Sequence, residues 1–237
     1  MGEIEKLKSF IDTIQYREKH LQGIDPQKGR FPFLTISRET GAGGHNLAEK
    51  ILELIQKEND SAFSQGWQIC DQELCQTVAQ DPHLNISPEA MLVSEYRSAV
   101  EDMISQFITG ESAQEKVIRR MFSLIRDLAL YGKSIIIGRG STCLTQDLPL
   151  GVHVRLVASH SSRISLMMKA HGKDETWARA KIAEQDKAKA ALVKDFFHKD
   201  VYDPLHYDAV WNTDRVSIDE IACVTLHLIK KKFEPAK

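Results

Sequence analysis

Residues 33–55, FLTISRETGAGGHNLAEKILELI, run from an apolar stretch through a glycine cluster into apolar residues at helical spacing. Strand, glycines, helix is the order in which backbone N–H groups are turned towards an anion. Gly41, Gly43 and Gly44 allow positive φ and close backbone approach. The amides of Ala42, Gly43, Gly44, His45 and Asn46 are expected to point inward. The usual G-x-x-x-x-G-K-[ST] pattern would put its first Gly at Arg38, Lys at Gly44 and Ser or Thr at His45. The loop therefore lacks the mobile point charge that follows the β- and γ-phosphates during transfer. A helix N-terminus still offers about half a positive charge. The plain alternative is an ordinary glycine turn ahead of a helix, and the loop alone does not decide between them.

Other residues of the right type sit at element ends. Arg139, in the GRG of residues 138–140, follows the apolar run SIII and emerges at the end of a strand. An arginine there takes an anionic partner, either a phosphate or a structural carboxylate. Asp71 follows a second apolar segment and would either accept a hydrogen bond from a base or sugar, or cap the helix opening at 72. Arg119, Arg120 and Arg126 lie on one helix, placed to reach an acceptor phosphate or to solubilise the surface.

Helical and strand periodicities supply the scaffold for these side chains. A helix is expected at 3–21, with Ile4, Leu7, Ile11 and Ile14 as its apolar stripe, and GIDPQKGRFP reads as a linker. Then come strand 33–37, helix 46–58, strand 67–70, a helical region 88–131, strand 134–138 and strand 152–158. Helices 161–171 and 175–198, strand 208–212 and helix 217–233 complete the chain. Short β-branched strands divided by helices imply a parallel sheet covered on both faces, a three-layer α/β/α fold with ligands at the carboxyl ends of the strands. Residues 1–30 form an N-terminal extension and 31–237 the domain. Within it, 88–131 is a helical insertion suited to a substrate-binding subdomain.

The 237 residues are 42% hydrophobic, enough to bury a full core, and 31 basic residues nearly balance 33 acidic ones. The net charge of −2 gives no broad surface for nucleic acid or anionic lipid, and leaves small charged metabolites as partners. Cys70, Cys75, Cys143 and Cys223 have no metal-site spacing, so no metal ligands are assigned, and scattered thiols fit a reducing compartment. MGEIEKLKSF has neither the basic start nor the apolar block of a signal peptide, Lys6 stands where a myristoylation site needs Ser or Thr, and no run approaches membrane-spanning length. A cytoplasmic location is expected. The N-terminal helix offers a surface for a homo-oligomer or partner contact.

ISRETGAGGHNLA, WQICDQELC, SIIIGRGSTCL, VHVRLVASHSSRISLMMKAHG, AEQDKAKAALVKDFF and YDAVWNTDRVSIDEI resemble, in order, the successive motifs of the cytidylate kinase-like family. That family belongs to the P-loop nucleoside monophosphate kinases, and the likeness runs from about residue 33 to 230. Its pattern S-R-E-x-G-[SA]-G-G-R itself lacks the loop lysine, with His45 here in place of the usual Arg. Cytidylate kinases proper continue Gly-Arg with an Asp that contacts the cytidine nucleotide, where this chain has Gly140. DQEL resembles the family's Y-D-K-E-L, and Arg126 matches the Arg of I-R-E-L-A. Arg163 opens the helix that begins the lid region, 160–200, and its alternative is a surface arginine on an amphipathic helix. EQDKAKA resembles the lid segment T-D-K-A-R, with Asp186 matching and Lys189 replacing an arginine; without the resemblance it reads as a solvated helical face.

The resemblance implies a kinase that moves the γ-phosphoryl of ATP, with Mg²⁺, to a nucleoside monophosphate, CMP or dCMP. It places the ATP phosphates at residues 41–46, with Arg38 also at the nucleotide. Arg139 would be at the acceptor or transferring phosphate, Asp71 and Arg126 at the substrate, and Arg163, Asp186 and Lys189 on a closing lid. The missing lysine, the missing Ser or Thr and the thin set of lid arginines favour a second reading, a nucleotide-binding sensor or scaffold without turnover.

Overall fold

The computed structural model describes residues 30–71 and 113–233. The expected helix at 3–21, the linker before Arg30, and residues 88–112 of the expected insertion lie outside the described residues, as does the helix opening at 72. Five parallel strands form the sheet in the order β2-β3-β1-β4-β5. They are β1 Phe33–Arg38, β2 Gln68–Cys70, β3 Ser134–Ile137, β4 Gly151–Val157 and β5 Ala209–Asn212. Helices α1 Gly44–Gln56, α2 Ser61–Ser64, α3 Ala113–Tyr131, α4 Ser141–Thr145, α5 His160–His171, α6 Glu175–Phe197 and α7 Ile218–Phe233 cover it. The short helices α2 and α4 and a 3-10 turn at Pro204–His206 had no expectation from periodicity, being too brief to show one.

Side-chain alternation sorts the two faces of the sheet. Leu34 and Ile36 of β1, Ile135 and Ile137 of β3, and Val152, Val154 and Leu156 of β4 share one buried cluster with Leu47, Ala48, Ile51 and Ile55 of α1 and Ile221, Ala222, Leu226 and Ile229 of α7. Each such aliphatic side chain contributes about 1.5–3 kcal/mol on burial. The other face is more polar. Thr35 Oγ1 lies 2.9 Å from Thr142 Oγ1 and 2.7 Å from His153 Nδ1, while Asp208 Oδ2 accepts from the His153 amide at 2.7 Å. Burial holds His153 down to about 4, so the ring is neutral at pH 7.

The chain leaves β1 for β2 and β3 on one side and later returns to β4 on the other, which makes the carboxyl end of β1 a topological switch point. Leu34 pairs in register with Ile135 and Val152, and Ser37 with Arg155, so the ends of β1, β3 and β4 are level. The candidate site is built on those three ends.

Candidate functional site

A cleft of about 1120 Å³ opens above the carboxyl ends of the strands, bounded by the glycine loop, the turn after β3, and helices α5 and α6. At Arg38 the strand gives way to the loop. The Glu39 amide donates to the Leu156 carbonyl at 3.0 Å, and the Ala42 amide turns back to the Glu39 carbonyl at 3.1 Å. The first helical bond of α1 is Leu47 N–H to the Gly43 carbonyl, and Gly43 caps the helix with no side chain. The amides of Gly44, His45 and Asn46 thus have no intrahelical acceptor and face the cleft mouth, where the helix dipole is positive. Ala42 departs from expectation: its amide closes the turn, its methyl is buried, and it does not line the cleft.

The loop rests on a buried polar seat. Asp186 Oδ1 accepts from the Thr40 amide at 2.8 Å and from the Thr40 hydroxyl at 2.7 Å. Arg163 Nη1 donates to Asp186 Oδ2 at 2.5 Å and to the Thr40 carbonyl at 3.3 Å, with Glu39 Oε2 at 3.7 Å from its Nε. Glu39 in turn accepts from the Ala158 amide. A Cβ on Gly41, whose φ is +82°, would stand 2.6 Å from the Arg163 carbonyl oxygen, so the loop touches the backbone of α5 directly. Desolvation pushes the Asp186 carboxyl up, but the Thr40 hydroxyl and amide, Arg163 and Lys189 outweigh it and leave it below the ordinary carboxylate range.

These contacts revise two of the lid residues. Arg163, 9% exposed, does not line the cleft and is spent under the loop. Asp186 shares that seat, so both position the loop rather than close over it. Lys189 does line the cleft, its Nζ donating to Thr40 Oγ1 at 2.5 Å and lying 3.3 Å from Asp186. Burial first, then the Arg38 charge, lowers its ammonium to about 8, with Asp186 opposing.

Arg38 and Arg139 meet on the far side of the loop. The Arg38 stem packs against Gly44, where a Cβ would be 3.0 Å from its Cγ. Its guanidinium lies over Gly138, where a Cβ would be 1.9 Å from Nη1. Gly138, Arg139 and Gly140 have φ of 77°, 58° and 67°, three successive left-handed residues that turn Arg139 into the cleft. For a non-glycine this costs roughly 1–2 kcal/mol. Among the described residues Arg38 has no hydrogen-bonded or ion-paired partner. Burial, then the Arg139 charge, brings its guanidinium down from the ordinary arginine range to about 10, against the pull of Asp71 and Asp186. Asp71 lines the same wall, 4.0 Å from His45 Nε2, and His45 is held below its ordinary value by burial and by Arg38.

Arg126 is not at the site. It is 5% exposed, pairs in a fork with Asp147 at 2.9 and 2.5 Å, and donates to the Leu144 carbonyl, tying α3 to α4. The family resemblance implied a substrate contact for Arg126, and helical periodicity cannot tell an arginine facing a ligand from one facing a neighbouring helix.

Sequence reasoning missed the other end of the cleft. Arg155 of β4 donates to Ser37 Oγ at 2.9 Å, beneath the rings of Tyr202 and Tyr207 at 5.3 and 5.7 Å. All four residues line the cleft. The alternation VHVRLVA, with polar residues two apart at 153 and 155, was the available signal for a polar face.

Among the described residues no group of three or more His, Cys, Asp or Glu side chains is placed to hold a metal ion, and no helix is long and apolar enough to cross a membrane. The fold is similar to that of an uncharacterized protein from Eubacterium ventriosum known from a crystal structure, at a TM-score of 0.65 and 22% identity, covering 85% of this chain and 99% of that one. No curated protein matches the chain. The model of the cytidylate kinase-like family matches residues 33–215. That span runs from the first residue of β1 past the end of β5 and takes in the loop, its seat and both ends of the cleft, and on this match the chain belongs to the cytidylate kinase-like family.

Proposed function

We propose that the protein is a nucleotide kinase that transfers the γ-phosphoryl of ATP to a nucleoside monophosphate, with CMP or dCMP as the acceptors its family membership points to. The observation that carries this reading is the seating of Arg38. Its stem lies on Gly44, the position at which a loop lysine would stand, and its guanidinium sits beside unspent loop amides without a carboxylate of its own. A fixed cation thus takes the place of the missing mobile one.

The amides of Gly43, Gly44, His45 and Asn46 bind the donor phosphates, with Arg38 alongside them. Lys189 brings a second charge from α6, and Arg139 holds the acceptor phosphate in line. An acceptor phosphate is already an anion, so no general base is needed, and positioning with charge neutralisation is the whole task. Asp186 and Arg163 keep the loop in register by holding Thr40. Magnesium carried by the nucleotide would neutralise phosphate charge and keep mainly nucleotide and water ligands, with Asp71 on the cleft wall beside His45 as the carboxylate that would hold it.

The test is to incubate the protein with Mg-ATP and a panel of nucleoside monophosphates and to resolve diphosphates chromatographically. CDP or dCDP that disappears in Arg139→Ala supports the kinase. ATP binding with no diphosphate from any acceptor would instead support a nucleotide-binding sensor or scaffold, the reading that the lysine-free loop favours.

A further inference from the structure

We infer that the Arg155 end of the cleft is an oxyanion subsite, so that beyond a plain nucleoside monophosphate such as CMP or dCMP the cleft prefers an acceptor with a second anionic oxygen group, a carboxylate or a phosphate, remote from the phosphate that reacts. Arg155 is 3% exposed yet lines the cleft. Among the described residues no carboxylate lies within ion-pairing distance of it, and the groups that meet it are neutral hydroxyls, Ser37 at 2.9 Å and Tyr207. A guanidinium taken out of water is retained where an anion or several acceptors meet it. The rings of Tyr202 and Tyr207 compensate it only in part, through their faces.

The chemistry of the cradle selects the class of ligand. Arg155 spends Nη1 on Ser37 and meets the Tyr207 hydroxyl as a second neutral neighbour, fewer acceptors than the five N–H groups of its fork. The Tyr207 hydroxyl stands 2.8 Å from the Val201 carbonyl and 3.2 Å from Ser37 Oγ, which fixes the ring. A subsite built from donors takes acceptors and rejects ammonium and amino groups. Tyr202, 56% exposed, forms the lip over which such a group would enter. Ser37 directly precedes Arg38 and pairs in register with Arg155, so the subsite and the reaction centre share one strand end and one molecule can span both.

The role of the bound molecule as acceptor rests on the phosphotransfer reading, whereas occupancy of the subsite does not, and the two are measured separately. In the full-length protein without nucleotide, the arginine Nε–H resonances are followed by NMR during titration with inorganic phosphate and with malonate. The Arg155 signal is assigned by its loss in Arg155→Lys. Movement of that signal by either anion, retained in Arg139→Met, supports the subsite, and the stronger anion identifies phosphate or carboxylate. Calorimetry then compares orotidine 5′-monophosphate with uridine 5′-monophosphate, which differ by one carboxylate, and nucleoside 3′,5′-bisphosphate with the 5′-monophosphate. The doubly anionic member of at least one pair is expected to bind about tenfold or more tighter, the preference being lost in Arg155→Met. Should Arg155→Met fail to fold, Ser37→Ala reports instead, with a severalfold smaller preference. An Arg155 signal indifferent to both anions, or equal affinities within both pairs, overturns the inference, whether or not any diphosphate is formed.

Discussion

Arg38→Met separates a residue kept for binding from one kept for folding. Methionine retains an unbranched stem against Gly44 and removes the charge. Lowering the guanidinium from the ordinary arginine range to about 10 means that the charged form costs the folded protein roughly 3 kcal/mol. By linkage, a base whose folded-state value is depressed carries its full cost wherever both states are protonated, and stability recovers only as pH climbs above about 10. At pH 7 the cost is therefore complete and flat. Allowing for packing lost around the guanidinium, the variant should gain about 1–3 kcal/mol, raising Tm by roughly 2–10 °C. In the same protein the loss of charge-assisted hydrogen bonds should weaken ATP about 10- to 100-fold. Thermal unfolding without ligand and calorimetry with ATP read the two effects on one preparation. A variant that melts lower and binds ATP as well as the parent would show that Arg38 serves the fold, and the reasoning about the loop would be refuted.

Gly41→Ala drives a Cβ to 2.6 Å from a backbone oxygen at a φ of +82°, with no flexible side chain to yield, and should cost about 2–4 kcal/mol in chemical denaturation while abolishing ATP binding. Lys189 loses its proton near pH 8, so ATP affinity should decline between pH 7 and 9, and Lys189→Arg should flatten that decline; a flat profile in the parent would exclude a role for this ammonium. His153 is neutral in the fold down to about pH 4 but titrates near 6.5 when unfolded. Its contribution, about 3 kcal/mol, is present above 6.5 and is lost as pH falls towards 4, so His153→Gln should show a shallower acid slope in urea midpoints. Arg126→Met breaks the fork to the half-exposed Asp147 and strands the Leu144 carbonyl, and should destabilise by about 1–3 kcal/mol while leaving ATP affinity within twofold by calorimetry.

Much of this architecture was legible in the chain because its signals are local. The apolar runs of β1, β3 and β4 and the 3.6-residue stripe of α1 state their burial in the order of residues, and the structure moves their ends by one or two positions. Gly41, Gly43 and Gly44 form a loop that opens on the cleft, and Arg38, Arg139, Asp71 and Lys189 also line it. The partners of a side chain are another matter, since they come from residues far away in sequence. Arg126 and Arg163 each sit on a helix among charges, as a surface residue or a phosphate ligand would. Asp147 claims the first, and Asp186 with Thr40 the second.

By itself the sequence determined the strands and the long helices among the described residues, that the sheet is parallel, and that a glycine loop without lysine ends its central strand. Backbone propensity and hydrophobic period act over a few neighbours and need no knowledge of the rest of the chain. Only the tertiary structure decided that Arg38 lies in the lysine's place, that Asp186 seats the loop instead of capping it, and that Arg155 is buried with its donors towards the cleft. Those outcomes depend on which side chains the sheet order sets side by side, and on the free energy of a charge once water has been removed from around it.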